Sequence, residues 1–194
     1  MKGECMIKTQ TVDVVLGVTG SIAAYKAAEL VRLMVKVGWT VHVVMTEAAT
    51  RFVTPLTFRT LSRNPVGVNA LDDPEDWMPG HISLAERADI VVVAPCTANV
   101  LAKLAHGLAD DLLTATVLAT RAPLLIAPAM NTGMWEHPAT QANLTTVRAR
   151  GAEIVEAATG ELACGTTGPG RMAEPEAVLE AARRMILNGK HGQS

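Results

Sequence analysis

Asn131 lies in a segment whose residue types are suited to holding a small ligand. The segment reads PAMNTGMWEHP, residues 128–138, and it places Asn131 near Met130, Met134 and Trp135. An amide beside polarizable and aromatic side chains suits a flat, partly apolar ligand that also carries a polar group. Packing is the alternative, in which Met134 and Trp135 lie in the core or in an interface and Asn131 caps a helix.

Two further segments carry single side chains that could move protons. The segment GHISLAERADI places His81 directly after a loop rich in proline, and ELACGTTGPGRM places Cys164 among glycines. A histidine titrates near neutral pH and can serve as a general acid or base, although a lone histidine is more often structural. A cysteine on an exposed flap can react, whereas the same residue in an ordinary solvent loop would have no role.

Alternating strands and helices are predicted to position these side chains. Short apolar runs predict five buried strands, at residues 12–16, 40–45, 90–94, 124–127 and 153–155. Longer segments with apolar residues near helical spacing predict six helices, at residues 21–37, 55–62, 97–105, 110–120, 138–150 and 175–187. Residues 64–80 and the glycine-rich segment 157–171 are predicted as loops, and residues 188–194 as a frayed tail.

Strands that are apolar on both faces and separated by helices predict a parallel sheet covered on both sides. The expected fold class is therefore α/β, a three-layer doubly wound parallel sheet that is Rossmann-like or flavodoxin-like. The length of 194 residues predicts one domain over 1–194, with its core at about 12–187. In such sheets ligands bind beyond the carboxyl ends of the strands.

The first predicted strand is followed by GVTGSIAAYK, in which Gly20 and Ser21 stand where a helix begins. Free backbone N–H groups and the helix dipole favour a phosphate at such a place, and Ser21 could contact the ligand or cap the helix. The spacing is neither G-x-G-x-x-G nor that of a Walker A loop. A tight turn with a serine cap is the equally supported alternative.

The next two strand ends also carry small polar residues. Thr46 follows the second strand and could contact a phosphate or cap the next helix. Phe52 could lie against a flat ring, although a lone phenylalanine more often fills the core. Thr97 and Asn99 follow the third strand and could bind a ligand from another helix start. Cys96 beside them is expected to be a small buried hydrophobe.

Composition excludes several classes of protein. The net charge is −2 and no basic stripe or charge block is present, which argues against nucleic-acid binding. The three cysteines match no zinc spacing and fit a reduced cytoplasmic protein. The first eleven residues lack the apolar stretch of a signal peptide, and no apolar run approaches the ~18 residues of a membrane span. A hydrophobic content of 49% favours apolar surface buried in an oligomer.

Five segments together resemble the flavin-dependent cysteine decarboxylases. They are GVTGSIAAYK, MTEAATRFVTPLTF, GHISLAERADIVVVAPCTAN, PAMNTGMW and ACGTTGPGRM, and they occur in the family's order between about residues 12 and 186. PAMNTGMW and ACGTTGPGRM are the specific part of the resemblance. They point to the branch of the family that converts 4'-phospho-N-pantothenoylcysteine to 4'-phosphopantetheine in coenzyme A biosynthesis.

The resemblance implies roles for individual residues. It implies FMN bound by residues at the strand ends, namely Gly20, Ser21, Ile22, Thr46, Phe52, Thr97, Ala98, Asn99 and Met130. It implies that Asn131 holds the substrate carboxylate, with the other substrate contacts at Met134, Ala163 and Gly165. It places His81 and Cys164 on catalytic positions, and it implies no metal.

The resemblance also implies a route for the reaction. Direct loss of CO2 would leave a carbanion without an electron sink, whereas a flavin can oxidise the CH2–SH group to a thioaldehyde that accepts the electrons. The resulting enethiol must then be reduced again, and Cys164 is the candidate for the proton that this requires. His81 would manage the thiol proton or the Cβ proton.

The resemblance further implies homotrimers, alone or assembled into dodecamers, with FMN near a subunit interface. On this arrangement His81 acts on a flavin held mainly by a neighbouring subunit. Many bacterial relatives carry a second domain that ligates cysteine to phosphopantothenate. If this chain stands alone, a separate phosphopantothenate-cysteine ligase is expected as its partner.

Two other functions compete with this interpretation. A peptidyl-cysteine decarboxylase of the lantibiotic type stops at the enethiol and needs no proton-donating flap cysteine, so ACGTTGPGRM argues against it. A non-enzymatic FMN-binding phosphatase regulator usually carries long acidic extensions or lacks active-site residues, and neither feature occurs in this sequence.

Overall fold

The computed structural model describes residues 11–69, 80–161 and 167–191. Within them, six strands form one sheet: β1 Asp13–Val18, β2 Thr40–Met45, β3 Val66–Gly67, β4 Ile90–Cys96, β5 Leu124–Pro128 and β6 Glu153–Ile154. The strand order is β3-β2-β1-β4-β5-β6 and every neighbouring pair is parallel. This is the Rossmann order, in which the chain reverses direction across the sheet between β1 and β4.

Helices connect the strands and cover the sheet. They are α1 Ala24–Lys36, α2 Pro55–Ser62, α3 Gly80–Arg87, α4 Ala98–His106, α5 Leu112–Ala119, α6 Thr132–Glu136, α7 Pro138–Ala149 and α8 Pro175–His191, with a 3-10 helix at Glu47–Arg51. Local chemistry explains several starts. Asp111 caps α5 in a capping box with Thr114, and proline occupies the first turn of α2 and α7.

The core consists of two apolar layers, one on each face of the sheet. Val14 and Leu16 pack with residues of α1 and α8, whereas Val15 between them packs with residues of α4, α5 and α7. All three side chains are 0% exposed. Because successive residues of a strand point to opposite faces, a strand buried on both sides must be apolar throughout. The prediction of a three-layer, doubly wound parallel sheet is confirmed.

The prediction of a loop over residues 157–171 is wrong. Strands β7 Ala158–Glu161 and β8 Thr167–Arg171 form an antiparallel pair, in which Thr159 pairs with Pro169 and Gly160 with Gly168. Glycine and proline disfavour strands in isolation. Here the backbone of β8 also contacts the segment after β5, and these tertiary contacts hold β8 extended.

Other departures concern element ends. The helix predicted from Ser21 begins only at Ala24, and Ile22 before it is 59% exposed. Helices α3 and α6 and the two-residue strand β3 are not predicted, because short elements give little periodicity. The last helix continues to His191, so the predicted frayed tail is helical up to that residue.

Across the described ranges, no helix is both long and apolar enough to cross a bilayer. The same residues contain no cluster of three or more His, Cys, Asp or Glu side chains placed to hold a metal ion.

Candidate functional site

The turns after β1 and β4 are tied together where the strand order reverses. Thr19 donates its hydroxyl to the Pro95 carbonyl oxygen at 2.8 Å and accepts the Thr97 N–H at 3.0 Å. Thr19 is 0% exposed, and its bond to Pro95 is buried. Ligands of doubly wound folds bind at this crevice. Thr19 was not among the predicted site residues, and its position directly after the first strand is the signal that could have identified it.

The turn after β1 also lies close against the segment after β2. A Cβ on Gly20 would lie 2.5 Å from the Ala48 Cβ, so only glycine allows this approach. Thr46 donates its N–H to the Val18 carbonyl at 3.0 Å, and its hydroxyl accepts the Ala49 N–H at 3.3 Å. Of the two alternatives for Thr46, capping the next helical turn is therefore present in the structure.

Ser21 and Thr97 make similar local bonds. The Ser21 hydroxyl accepts the Ala23 N–H at 3.2 Å, and the Thr97 hydroxyl accepts the Val100 N–H at 3.4 Å as the cap of α4. Asn99 lies in the first turn of α4 with its side chain exposed. The predicted polar residues are therefore brought to one edge of the sheet, where helix and turn backbones favour an anion.

Large apolar side chains are exposed at the same edge. Ile22 is 59% exposed, and Phe52 and Met134 are each 49% exposed. Of the alternatives for Phe52 and Met134, burial in the core of the single chain is therefore excluded, and their assignments to FMN and substrate stay predictions. Exposed apolar groups beside polar strand ends suit a flat ring or a neighbouring subunit. Trp135 instead packs partly buried against the core layer of α4 and α7, which confirms its interpretation as a packing residue.

The segment that carries Asn131 is fastened to β8. Met130 donates its N–H to the Gly170 carbonyl at 2.9 Å, and the Thr132 hydroxyl donates to the Pro169 carbonyl at 3.0 Å. Asn131 itself caps α6, because its Oδ1 accepts the Gly133 N–H at 2.8 Å. The PAMNTGMW segment and the base of the glycine-rich hairpin therefore form one unit.

Glycine is required at Gly170 for that unit to form. Its φ is +118°, and an added Cβ would lie 2.4 Å from the Met130 carbonyl oxygen. We expect Gly170→Ala to lower the free energy of unfolding by about 3 kcal/mol, because backbone strain and overpacking add. Urea unfolding of the purified protein measures the change.

Gly38→Ala is the matched control for that variant. Gly38 also has a positive φ, +87°, but an added Cβ would meet nothing within 4 Å. It should lose only about 1 kcal/mol, from backbone strain alone. Equal losses in the two variants would contradict the importance of the contact with Met130.

A buried lysine holds the chain where it leaves the hairpin. Lys26 on α1 is 5% exposed, and its ammonium donates to the Met172 carbonyl and to Glu174 Oε1, both at 3.0 Å. Arg171 bonds the same carboxylate oxygen at 3.1 Å. The Lys26 hydrogen bond is the main cause that lowers the pKa of Glu174. Because the folded-state pKa is lowered, the ionised carboxylate stabilises the fold above the pKa that Glu174 has in the unfolded chain, and this stabilisation is lost as pH falls through the folded-state pKa. The contribution is small, because the Glu174 side chain is largely exposed.

His81 is not joined to the strand-end residues by any hydrogen bond or ion pair among the described residues. It lies in the first turn of α3, partly buried, and α3 packs against α5. The expectation that His81 acts on a flavin held by a neighbouring subunit stays a prediction. Cys164, Ala163 and Gly165 lie outside the described residues.

Cys96 is enclosed in the core, as expected of a small buried hydrophobe. It is 0% exposed, and burial raises the pKa of its thiol to about 12. We expect Cys96 to stay unmodified by iodoacetamide at pH 8 in the folded protein and to react after denaturation, because the thiolate is the reacting species. Peptide mapping by mass spectrometry tests this, and alkylation of Cys96 in the folded protein would contradict it.

Comparison with known proteins finds one family over most of the chain. The family model described as Flavoprotein matches residues 5–187. The coenzyme A biosynthesis bifunctional protein CoaBC of Bacillus subtilis is 45% identical over 186 residues, which cover 92% of this chain and 46% of that protein. The CoaBC of Vibrio cholerae is 52% identical over 162 residues, 84% of this chain and 41% of that protein. The chain thus spans less than half the length of these relatives.

Solved structures share the fold over their whole length. A cysteine-to-serine mutant of a PPC decarboxylase, complexed with pantothenoylaminoethenethiol, has a TM-score of 0.80 at 32% identity, covering 90% of this chain and 97% of that one. The FMN-dependent cysteine decarboxylase SpaF has a TM-score of 0.74 at 35% identity, with 88% and 97% covered. The FMN-binding protein AtHal3 has a TM-score of 0.77 at 33% identity, with 90% and 96% covered.

Proposed function

Because the chain belongs to the Flavoprotein family, we propose that it binds FMN and converts 4'-phospho-N-pantothenoylcysteine to 4'-phosphopantetheine in coenzyme A biosynthesis. The observation that carries the proposal is the junction of PAMNTGMW with the base of the glycine-rich hairpin, at the end of the sheet where ligands of this fold bind. The similarity to CoaBC proteins and to a PPC decarboxylase structure supports the choice of substrate.

The residues at the strand ends fit a flavin mononucleotide. Gly20 permits a close turn whose Ser21 side chain and backbone suit the phosphate, and Thr97 with Asn99 offers polar groups from α4. The exposed apolar surface of Ile22 and Phe52 suits the flat ring. The remaining residues assigned to FMN are Thr46, Ala98 and Met130. When bound, FMN supplies the two-electron oxidation of the carbon that bears the thiol and the return of a hydride.

The chain's own residues orient the substrate and move its protons. The capping bond to the Gly133 N–H holds the Asn131 side chain at the start of α6, and this amide is assigned to the substrate carboxylate. Met134, Ala163 and Gly165 are assigned to the rest of the substrate. His81 takes a proton from the substrate thiol or Cβ.

The final proton is assigned to Cys164. Reduction of the enethiol by hydride leaves one carbon to be protonated, and a thiol can donate that proton. A residue with this task is needed only by an enzyme that returns the hydride. A decarboxylase that stops at the oxidised product does not need it.

The proposal includes assembly into homotrimers or dodecamers in the cytoplasm. Large exposed side chains on α1 and α2 support an interface, since Tyr25 is 60% and Leu56 is 69% exposed. A phosphopantothenate-cysteine ligase would supply the substrate, either as a separate protein or as a fused domain such as that implied by the bifunctional relatives.

Product mass after incubation with phosphopantothenoylcysteine tests the proposed function. Loss of CO2 alone is the expected result. Loss of CO2 and two hydrogens would instead indicate an oxidative decarboxylase of the peptide-modifying kind, a class that the similarity to SpaF makes the second candidate. An unchanged substrate with flavin bound would favour a non-enzymatic FMN-binding protein.

A further inference from the structure

A cavity lies at the opposite end of the sheet from the strand-end site. Its volume is about 370 Å³, and it is enclosed by the carboxyl-terminal parts of α4, α5 and α7 and the amino end of β5. The residues that matter to the argument are Lys103, Leu108, Leu118, Arg121 and Arg150. None of the residues assigned to FMN or substrate lines it. A volume above 300 Å³ is in the range of small-molecule sites.

The apolar wall of the cavity is left open to solvent. Helix α5 reads LLTATVLA and is apolar on nearly every side, a pattern typical of a fully buried helix. Leu112 and Leu113 in the first turn of α5 are buried. Leu118 in the last turn of α5 is 62% exposed, and Leu108, which follows α4, is 56% exposed. An apolar helix with one uncovered face beside a cavity suits the apolar body of a ligand.

The polar part of the lining is cationic. Lys103, Arg121 and Arg150 line the cavity and no carboxylate does. Lys103 is compensated by Asp110 at 2.6 Å and Asp111 at 3.2 Å. Neither Arg121 nor Arg150 forms an ion pair with a carboxylate among the described residues.

The guanidinium groups of Arg121 and Arg150 form few hydrogen bonds within the described residues. Within the described residues, the Arg150 guanidinium donates one hydrogen bond, to the Leu104 carbonyl oxygen at 3.4 Å. Arg121 has no hydrogen bond or ion pair within the part of the chain that the structure describes. Two guanidinium groups with spare donors at the rim of an apolar cavity suit an anion, because arginine binds carboxylate and phosphate with paired N–H groups.

We propose that this cavity binds a small amphiphilic anion, with its carboxylate or phosphate head at Arg121 and Arg150 and a short alkyl body against Leu108 and Leu118. A small molecule suits the site better than a second copy of the chain, because the uncompensated charges line a concavity and not a flat face. The proposal is independent of the function proposed for the strand-end site.

Calorimetry on the FMN-loaded protein tests the proposal with octanoate, monooctyl phosphate and octan-1-ol. We expect both anions to bind more tightly than the neutral alcohol, and the tighter of the two identifies the head group. Arg121→Gln and Arg150→Gln should each weaken anion binding about tenfold, as for the loss of one charge-assisted hydrogen bond. Leu118→Gln should weaken the binding of all three ligands, because each places its alkyl chain against this side chain. Arg184→Gln on α8, in the opposite layer, is the matched control and should change nothing.

Several results would overturn the proposal. Absence of anion binding at millimolar concentration would do so, as would equal affinity for octan-1-ol or unchanged affinity in both arginine variants. Sedimentation velocity tests the remaining possibility, that a second copy of the chain covers this face. If Leu118→Gln dissociates the oligomer while the Arg184→Gln control does not, a second copy covers this face and the small-molecule proposal fails. Circular dichroism of each variant establishes that it is folded.

Discussion

We expect His81→Asn to reduce kcat/KM for phosphopantothenoylcysteine by about 10³-fold while FMN remains bound, because a positioned general base contributes rate enhancement of this size. His81 lies in the first turn of α3 and is only partly buried, so asparagine can replace it without disturbing the core. Product mass spectrometry gives the rate, and the flavin absorbance of the purified variant gives the cofactor content.

His106→Asn is the matched control for this variant. His106 ends α4 and is exposed, away from the strand-end edge. It should leave turnover unchanged. Loss of a general base lowers the rate by about 10²-fold or more. If His81→Asn retained more than about a tenth of the activity, His81 would therefore be excluded as the general base. Loss of FMN from that variant would instead indicate a binding role.

The second large effect is a change of product. Cys164→Ser should still remove CO2 but should not complete the reduction, because serine is a far weaker proton donor than cysteine. The accumulated compound is then the enethiol, which has lost CO2 and two hydrogens relative to the substrate. Mass spectrometry distinguishes it from 4'-phosphopantetheine.

Cys5→Ser is the control, since Cys5 lies outside the five segments that resemble the decarboxylase family. It should yield 4'-phosphopantetheine at the normal rate. Full turnover by Cys164→Ser would exclude Cys164 as the proton donor. An inactive Cys164→Ser that yields no enethiol would place the residue before decarboxylation.

Much of the fold could be predicted because its signals are local. The buried strand β2 and helix α2 begin and end at the predicted residues, since Gly38 and Thr46 flank the strand, and Pro55 begins the helix. Apolar runs without alternation, as in Ile90–Cys96, indicate burial on both faces and hence a parallel sheet. The order of the polar strand ends along the chain then indicates where a ligand site should lie.

The hairpin could not be predicted in the same way. Its residues have low intrinsic strand preference, and β8 is held by bonds to residues about 40 positions earlier, such as Thr132 to Pro169. Partners at such separation leave no trace in local periodicity. The buried role of Thr19 was missed for the same reason, because its hydroxyl bonds residues 76 and 78 positions away.

The sequence by itself determined the layered α/β class, most of the elements and several polar residues that follow the strands, because hydrophobic period and turn chemistry act over a few neighbouring residues. Only the tertiary structure decided which of them meet. It showed that Phe52 and Met134 are exposed, that the Asn131 segment is bonded to β8, and that a cationic cavity lies at the opposite end. Exposure and long-range hydrogen bonds depend on how distant elements pack, and that packing is a property of the whole chain.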